Sequence, residues 1–406
     1  MIIEKKVLRN VSLTSHPAGC RKAVEKEVAW VQKHAANSSD SRYPAIGTLT
    51  LPKRVLVLGG STGYGLSSRI VATFAGAADT IGVSFEREPK EKRTASPGWY
   101  NTHVFEELAQ KAGRKAYSIF GDAFATETKE QVADLIRAHF GQIDLVVYSL
   151  ASPQRTDPVT GEVYRSTLQP TEEDFTALSL SLGSDIVTEA TVSAADSAAT
   201  EATVKVMGGE DWQLWIEFLL NENLLAPGAK TIAYSYAGPE LTYPIYRDGT
   251  IGKAKEHLQK TATTLNELLA PLAGGAYISV NKALVTRASA VIPIVPLYMA
   301  LLYQVMQEQG VHEEPVQQIY RLFTTLLYRD EGPILDTQGR LRVDDWEMDP
   351  AIQAEVEKRW ERQRAGEPLV GGDFALVEQT YDQIHGFGWE GIDYTKATDP
   401  VTGWRR

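Results

Sequence analysis

The middle of the chain alternates short apolar runs with amphipathic stretches. From Arg54 it reads RVLVLGGSTGYGLSSRIVATFA, an apolar strand, a glycine-rich turn and a helical pattern. Further strands are predicted at 80–86, 115–124, 143–152, 230–238 and 275–286, with helices near 101–112, 126–140, 211–224 and 250–272. Such alternation is typical of a parallel sheet covered on both faces. The pattern therefore predicts an α/β, Rossmann-like doubly wound fold.

Two regions depart from this alternation. Residues 153–205 are rich in Ser, Thr and Ala and predict an inserted excursion, such as a small hairpin, that leaves the sheet. The C-terminal part is helical and charged, and no linker-like stretch separates it from the core. We therefore predict a single large domain with an N-terminal extension (1–50), a Rossmann core (51–290) and extra C-terminal helices on the substrate side (291–406).

One uncharged segment, ASAVIPIVPLYMALLYQVM at 288–306, has nearly the length of a membrane span. Pro293 and Pro296 would break its first third, and Tyr298, Tyr303 and Gln304 are polar. We expect a buried helix that belongs to a soluble fold, and no integral membrane segment.

The charge and the cysteine content limit the kinds of ligand and cell compartment that we expect. The 41 basic and 52 acidic residues give a net charge of −11, which argues against nonspecific nucleic-acid binding. The single cysteine, Cys20, and the seven scattered histidines do not fall into metal-ligand spacing, so no metal site is expected. No apolar run of signal-peptide length follows the N-terminus, and we expect a cytoplasmic protein.

The turn GGSTGYG between the first predicted strand and its helix is a candidate dinucleotide site. Glycines at such a turn let the backbone bend sharply and approach a pyrophosphate, which the helix N-terminus favours. The alternative is a purely structural turn, because strand-to-helix connections often use glycine. The candidate cofactor-binding residues are Gly59, Gly60, Ser61, Thr62, Gly63, Tyr64 and Gly65.

The end of the second strand, Phe85 and Glu86, adds support for this site. A carboxylate at this position can accept both hydrogens of an adenosine ribose diol, which favours NADH over its 2′-phosphorylated form. Arg87 is the residue that such a phosphate would prefer, so the preference stays open, and Glu86 could also be a solvated strand-end charge.

The next two strand ends supply further candidates. Asp122 and Ala123 follow the third strand and are expected near the adenine. Ser149, Leu150 and Ala151 follow the fourth and are expected near the ribose and nicotinamide, because open α/β sheets bind ligands at carboxyl strand ends.

The stretch IYRDGTIGKAK contains a candidate reactive pair, Tyr246 and Lys255. Gly249 and a possible N-cap at Thr250 predict a helix that begins near 251, with Tyr246 on the preceding loop. The helical wheel then places Lys255 beside the buried stripe and Lys253 towards solvent. The alternatives are a packed loop aromatic and a solvated lysine.

The spacing Tyr-x8-Lys disfavours one class of enzyme and resembles the spacing found in another. Carbonyl reductases of the short-chain family use Tyr-x3-Lys, which this chain lacks. Stretches spread over nearly the whole chain carry this resemblance: HPAGC (16–20), SPGWYN (96–101), YSLASPQRTDPVTG (148–161), ATVKVMGGEDW (202–212), AYSYAGPE (233–240), YRDGTIGKAKEHL (246–258), VNKALVTRASAVIP (280–293) and DDWEM (344–348). With them the chain resembles the trans-2-enoyl-CoA reductase and enoyl-acyl-carrier-protein reductase family, long relatives of the short-chain dehydrogenases. Residues 171–201 do not match.

The resemblance implies roles for single residues. Tyr246 corresponds to the proton donor, Lys255 to the lysine that holds the cofactor, and Tyr236 to a second tyrosine that faces the substrate. Leu284, Val285 and Thr286 correspond to a strand end that contacts the cofactor. From its residue type alone, Tyr236 could equally be a core tyrosine of an apolar strand.

The function that these residues and the resemblance imply is NADH-dependent reduction of the double bond of trans-2-enoyl thioesters in fatty acid synthesis. The expected partners are an acyl-CoA or an acyl-carrier-protein thioester, with a monomeric or homodimeric enzyme. The mechanism as conceived requires no flavin, and we expect none. A carbonyl reductase or epimerase and a dinucleotide-sensing protein are the rival functions.

Overall fold

A seven-stranded parallel sheet organises the computed structural model, which describes residues 1–8, 11–286, 294–401 and 404. Every neighbouring pair of its strands is parallel. In spatial order the strands are β13 (Arg340–Arg342), β12 (Gly275–Val280), β11 (Leu225–Ser235), β6 (Ile143–Tyr148), β3 (Arg54–Leu58), β4 (Asp79–Ser84) and β5 (Ala116–Phe120). The predicted Rossmann-like α/β fold is confirmed. The order reverses between β3 and β6, where such sheets form their ligand crevice.

Helices cover both faces of the sheet. They are α1 (Pro17–Ala36), α2 (Gly63–Phe74), α3 (Pro97–Lys111), α4 (Thr126–His139), α5 (Ser197–Met207), α6 (Glu210–Asn221), α7 (Tyr243–Tyr246), α8 (Thr250–Leu269), α9 (Val295–Glu308), α10 (Pro315–Arg321), α11 (Pro350–Trp360) and α12 (Phe374–Ile384). A π-helical turn, Leu322–Leu327, continues α10.

The central strand shows why the sheet is buried on both faces. Successive side chains of a strand point to opposite faces. Leu56 and Leu58 of β3 pack in the cluster that contains residues of α4, α6 and α8. Val55 and Val57 pack in the cluster that contains residues of α1, α2, α3 and α10. A strand with an apolar core on each side must be apolar throughout, as RVLVL nearly is.

The excursion after β6 is larger than the single hairpin expected. It contains two antiparallel hairpins, β7 (Gln154–Thr156) with β8 (Val163–Arg165) and β9 (Phe175–Ser181) with β10 (Ser184–Val192). Leu180 and Val187 of the second hairpin are buried in a third core cluster with α9, α11 and α12. This hairpin lies in the stretch 171–201 that the resemblance left unmatched.

Helix α9 lies in the centre of that third cluster, and it confirms the prediction of a buried helix for the described part of 288–306. Pro296 stands in its first turn, where a missing N–H costs little, so it opens the helix and does not break it. Pro293 and the end of the motif VNKALVTRASAVIP lie outside the described residues. Within the described ranges, no helix combines the length and apolar character needed to cross a bilayer.

The bounds of several strands differ from the expectations. Strand β11 begins at Leu225, five residues before the predicted start, and β12 ends at Val280 instead of 286. The edge strand β13 was not predicted, because RLR is only three residues long and carries two charges. A short hairpin, β1 (Val7–Leu8) with β2 (Val11–Ser12), precedes α1. The proposed division of the chain at 50 and 290 stays a prediction.

Candidate active site

A cavity of about 980 Å³ opens at the carboxyl ends of the central strands. Most residues that the sequence singled out line it, although they come from separate parts of the chain. These are Gly59, Ser61, Thr62, Gly63, Tyr64, Phe85, Glu86, Asp122, Ala123, Leu150, Ala151, Tyr236, Tyr246, Lys255, Leu284 and Thr286. Gly60, Gly65 and Val285 are not part of its wall. The arrangement brings the predicted cofactor residues and the reactive pair to one space.

The glycine turn is shaped by contacts that a side chain would prevent. Gly59 has φ +87°, and a Cβ there would lie 2.2 Å from the carbonyl oxygen of Ser149. A Cβ on Gly65 would lie 2.0 Å from the carbonyl oxygen of Gly59. Helix α2 begins at Gly63, and the first N–H groups of a helix have no acceptor within it. The turn therefore presents backbone donors to the cavity, as a pyrophosphate site requires.

Glu86 lies two residues beyond β4, at the rim of the cavity. Ser61 of the glycine turn donates its hydroxyl to Glu86 Oε1 at 2.7 Å, which ties the two predicted cofactor elements together. A Cβ on Gly98, at the start of α3, would lie 2.1 Å from the same oxygen. Phe85 is 84% exposed and can stack on a flat ring. This geometry suits a ribose diol beside an adenine.

The ends of β5 and β6 complete this side of the cavity. Asp122 Oδ1 accepts the N–H of Phe124 at 2.9 Å, which fixes the turn that carries Ala123 into the wall. Leu150 and Ala151 follow β6 and line the cavity, and a Cβ on Gly59 would lie 3.4 Å from Leu150 Cδ2, so Leu150 lies beside the glycine turn.

Tyr246 is the last residue of the short helix α7, which corrects its predicted place on a loop. Helix α8 begins at Thr250 with Gly249 as its N-cap, where Thr250 itself was expected to cap. The reason is a contact with the excursion: Thr250 Oγ1 donates to the carbonyl of Thr167 at 2.6 Å and accepts the N–H of Gln169 at 3.3 Å. The hydroxyl is thus occupied and does not cap its own helix.

Lys255 and Lys253 point in different directions from α8. Lys255 is half-buried, lines the cavity and donates Nζ to the carbonyl of Tyr234 at 3.2 Å. Burial lowers the pKa of Lys255 to about 8. Lys253 is exposed and pairs with Glu256 at 3.1 Å. The helical wheel placed both lysines on these sides.

Tyr236 and Tyr246 meet edge to face in the cavity wall, with ring centroids 4.8 Å apart. Burial raises the pKa of both phenols, and the charge of Glu347 raises them further. A raised pKa keeps the phenol protonated, so each side chain carries a proton to donate. The Tyr236 hydroxyl is in hydrogen-bond contact with Glu347 Oε1 at 3.0 Å.

The segment Leu284 to Thr286 was expected at a strand end, but β12 has already ended at Val280. Leu284 and Thr286 line the cavity from the loop that follows. The N–H of Val285 donates to the hydroxyl of Tyr303 at 2.8 Å, which holds that loop against α9.

Several polar residues of the wall were missed by the sequence reasoning. They are Lys282, Tyr298, Tyr381 and His385, and behind them Glu347. The only available signal was the pair of matching stretches VNKALVT and DDWEM, which contain Lys282 and Glu347 but gave neither residue a role. Burial lowers the pKa of Lys282 to about 8, opposed by the charges of Glu347 and Glu313.

Comparison with protein-family models divides the chain into three matched parts. Residues 2–91 match a model described as the NAD(P)H binding domain of trans-2-enoyl-CoA reductase. Residues 93–328 match the trans-2-enoyl-CoA reductase catalytic region. Residues 335–397 match a model described as the enoyl reductase FAD binding domain. The first two matches cover the glycine turn, Glu86, Tyr246 and Lys255.

The third match corrects one expectation: the inference that the protein binds no flavin is wrong. That inference rested on NADH being a sufficient source of hydride, which says nothing about a second cofactor. Two aromatic side chains of the matched segment, Tyr381 and His385, line the cavity with ring centroids 4.7 Å apart. Their rings suit contact with the flat ring system of a flavin.

Full-length relatives agree with these matches. The chain is 48% identical to an NADH-dependent enoyl-acyl-carrier-protein reductase of Flavobacterium johnsoniae, over 99% of this chain and 98% of the relative. It is 47% identical to an NADH-dependent trans-2-enoyl-CoA reductase of Clostridium perfringens, over 99% and 100%. The crystal structure of Treponema denticola trans-2-enoyl-CoA reductase in complex with NAD superimposes with a TM-score of 0.93 at 44% identity, covering 99% of each chain. The chain therefore belongs to the trans-2-enoyl-CoA reductase family.

Proposed function

We propose that this protein is an oxidoreductase that uses NADH to reduce the carbon–carbon double bond of trans-2-enoyl thioesters. The observation that carries the proposal is one cavity lined by the glycine turn, Glu86, Tyr246 and Lys255. A dinucleotide-sensing protein would need the first two only. A short-chain carbonyl reductase would need a lysine four residues after its tyrosine.

The side chains of the cavity divide the work of the reaction. NADH, when bound, supplies the hydride that the β-carbon of the substrate receives. Negative charge then develops on the thioester oxygen, and the Tyr246 hydroxyl is the donor that stabilises it. The raised pKa of Tyr246 keeps that hydrogen in place. Lys255 adds positive potential and holds the cofactor ribose.

The apolar part of the wall suits an acyl chain. Val295 and Met299 of α9 line the cavity together with Ile251 of α8 and Leu168 of the excursion. An apolar crevice binds the hydrocarbon and excludes water from the reacting atoms. This supports an acyl thioester as the substrate class.

A flavin held by the C-terminal segment would meet Tyr381 and His385 in the same wall. Bound there, it would supply a redox centre able to take up and pass on a hydride. The Tyr381 hydroxyl accepts the N–H of Ser12 at 2.9 Å, so the N-terminal hairpin fixes this side chain.

The thioester carrier is the finer part of the proposal. The names of the relatives divide between CoA and acyl carrier protein. Two of the matched family models carry the name trans-2-enoyl-CoA reductase, so acyl-CoA is the carrier that we propose. We further propose a role in fatty acid synthesis in the cytoplasm, as a monomer or homodimer.

The test is NADH oxidation by the purified protein with crotonyl-CoA and, in parallel, with the crotonyl thioester of an acyl carrier protein. We expect loss of NADH absorbance and formation of the saturated thioester, faster with CoA. NADH binding without oxidation would support the sensor function. Oxidation with a 3-oxoacyl thioester but not with the enoyl thioester would support a carbonyl reductase.

A further inference from the structure

A buried carboxyl group lies directly behind two tyrosines of the cavity wall, Tyr236 and Tyr298. Glu347, in the turn between β13 and α11, has 0% exposed surface. Its Oε1 lies 3.0 Å from the Tyr236 hydroxyl and accepts a hydrogen bond from Tyr298 at 2.7 Å, and its Oε2 accepts the N–H of Ala283 at 2.6 Å. Both tyrosines line the cavity, so Glu347 is one hydroxyl group away from a bound substrate.

The chemistry of its three partners decides where a proton on Glu347 can point. The N–H of Ala283 can only donate. Gln353 Nε2 donates to the carbonyl of Glu347 at 2.6 Å, which fixes the orientation of that amide, and also donates to the Tyr298 hydroxyl at 3.2 Å. Tyr298 therefore directs its own hydrogen to Oε1. Among these three partners, only the Tyr236 hydroxyl can either donate to Glu347 or accept from it.

The reduction consumes one proton for each hydride, because the α-carbon must be protonated after the β-carbon has been reduced. We propose that Glu347 and Tyr236 form the proton relay that supplies it, an inference that rests on the proposed function. Tyr236 gives its hydroxyl proton to the α-carbon as the enolate collapses. The carboxyl proton of Glu347 then passes to the Tyr236 oxygen, and the resulting carboxylate takes up one proton from solvent. Tyr246 remains the donor to the thioester oxygen.

The relay requires the neutral form of Glu347. Burial raises the pKa of this carboxyl, opposed mainly by the charge of Lys282. The titratable groups that face Glu347 across the surrounding elements are Tyr64, Tyr236, Tyr246, Lys282, Tyr298, Tyr303 and Asp344. A raised carboxyl pKa means that the relay works below that pKa and is lost as the pH rises through it.

The variant Glu347→Gln keeps the shape of the side chain but removes its acidic proton. We expect kcat with crotonyl-CoA to fall about tenfold or more at the acidic end of the pH profile, while the Kd for NADH stays unchanged. The ratio of wild-type to variant kcat should then shrink towards one as the pH rises, because only the wild type has a carboxyl to deprotonate. Taking this ratio cancels the titration of Lys255, which both proteins share, but not that of Lys282, whose pKa Glu347 raises.

Tyr236→Phe supplies a second variant with little change in packing. It should lose the same pH-dependent part of kcat as Glu347→Gln. Because Glu347 and Tyr236 act in series, the double variant should be no slower than the slower of the two single variants. Glu27→Gln is the matched control. Burial raises the pKa of Glu27 to about 7 and its Oε2 accepts the Ser67 hydroxyl at 2.9 Å, but it does not line the cavity. Its pH profile should match that of the wild type.

A measurement without substrate tests whether the carboxyl group of Glu347 is protonated. Infrared spectra of the wild type should show a protonated carboxyl band that titrates with pH and is missing in Glu347→Gln. Additive losses in the double variant, a constant kcat ratio across pH, or no such band would each overturn the relay. Absence of NADH oxidation by the wild type would instead overturn the proposed function, so the two failures are distinguishable.

Discussion

Lys255 should make NADH binding depend on pH in a way that Lys253, two residues earlier on the same helix, does not. Lys255 lines the cavity with a pKa lowered to about 8 by burial, whereas Lys253 is exposed and paired with Glu256. If the anionic cofactor binds the charged form of Lys255, a rise in pH through that pKa removes the charge before binding.

The magnitude follows from this pKa. With a pKa of about 8 in the free protein, roughly 90% of Lys255 is charged at about pH 7 and roughly 10% at about pH 9. When only the charged form binds well, the apparent Kd for NADH rises about tenfold over this interval. The sign is fixed, because a lysine loses its charge as the pH rises.

The assay is a titration of NADH fluorescence at both pH values for the wild type, Lys255→Met and Lys253→Met. Lys255→Met should bind NADH about tenfold more weakly at about pH 7 and show little further change with pH. Lys253→Met should follow the wild type. A Lys255→Met protein that keeps the full pH dependence would refute the reasoning and assign the effect to Lys282, which has a similarly lowered pKa.

Three further changes probe the cofactor site, the donor and the core. Tyr246→Phe should lower turnover by about 100-fold or more, because it loses an oxyanion donor, with NADH binding nearly unchanged; steady-state rates near wild type would contradict this. Glu86→Gln should weaken the interaction with NADH by about 1.5–3 kcal/mol and strengthen that with NADPH, as measured by kcat/KM with each cofactor. An unchanged ratio of the two kcat/KM values would mean that Glu86 is only a surface charge. Asp211→Ala should lower the free energy of unfolding in urea by about 3–5 kcal/mol, because it leaves the buried Lys129 without its ion-pair partner. Asp134→Ala, which breaks an exposed ion pair, should lower it by only about 0.5 kcal/mol. Equal losses of unfolding free energy in these two variants would refute the prediction for Asp211→Ala.

The central part of the fold was predictable because its information is local. An apolar run such as RVLVL followed by a glycine turn indicates a buried strand wherever it occurs. The edge strand β13 lacks that signal, since RLR pairs with β12 only through its position in the folded chain. The start of α8 was misplaced by one residue for a similar reason, because Thr250 is bound by Thr167, far away in sequence.

The residues of the candidate site were likewise predictable only where the information is local in sequence. Tyr246 and Lys255 share one stretch of sequence, so their spacing could be compared with known chemistry. Glu347 stands 111 residues from Tyr236, and a single glutamate in a charged C-terminal region gives no local sign of complete burial. The flavin expectation failed because no short pattern was weighed for the C-terminal segment.

The two buried lysines of the cavity differ in what compensates their charge. Lys282 faces Glu313, whose charge partly offsets the burial of the ammonium group. Lys255 donates to a neutral carbonyl oxygen, and burial lowers its pKa. A charge buried without compensation is stabilised most by an incoming anion. We therefore expect the anionic cofactor to bind at Lys255, whereas the proposed proton relay runs through Glu347 and Tyr236. This separation would let one cavity hold a negative cofactor and deliver a proton without either group neutralising the other.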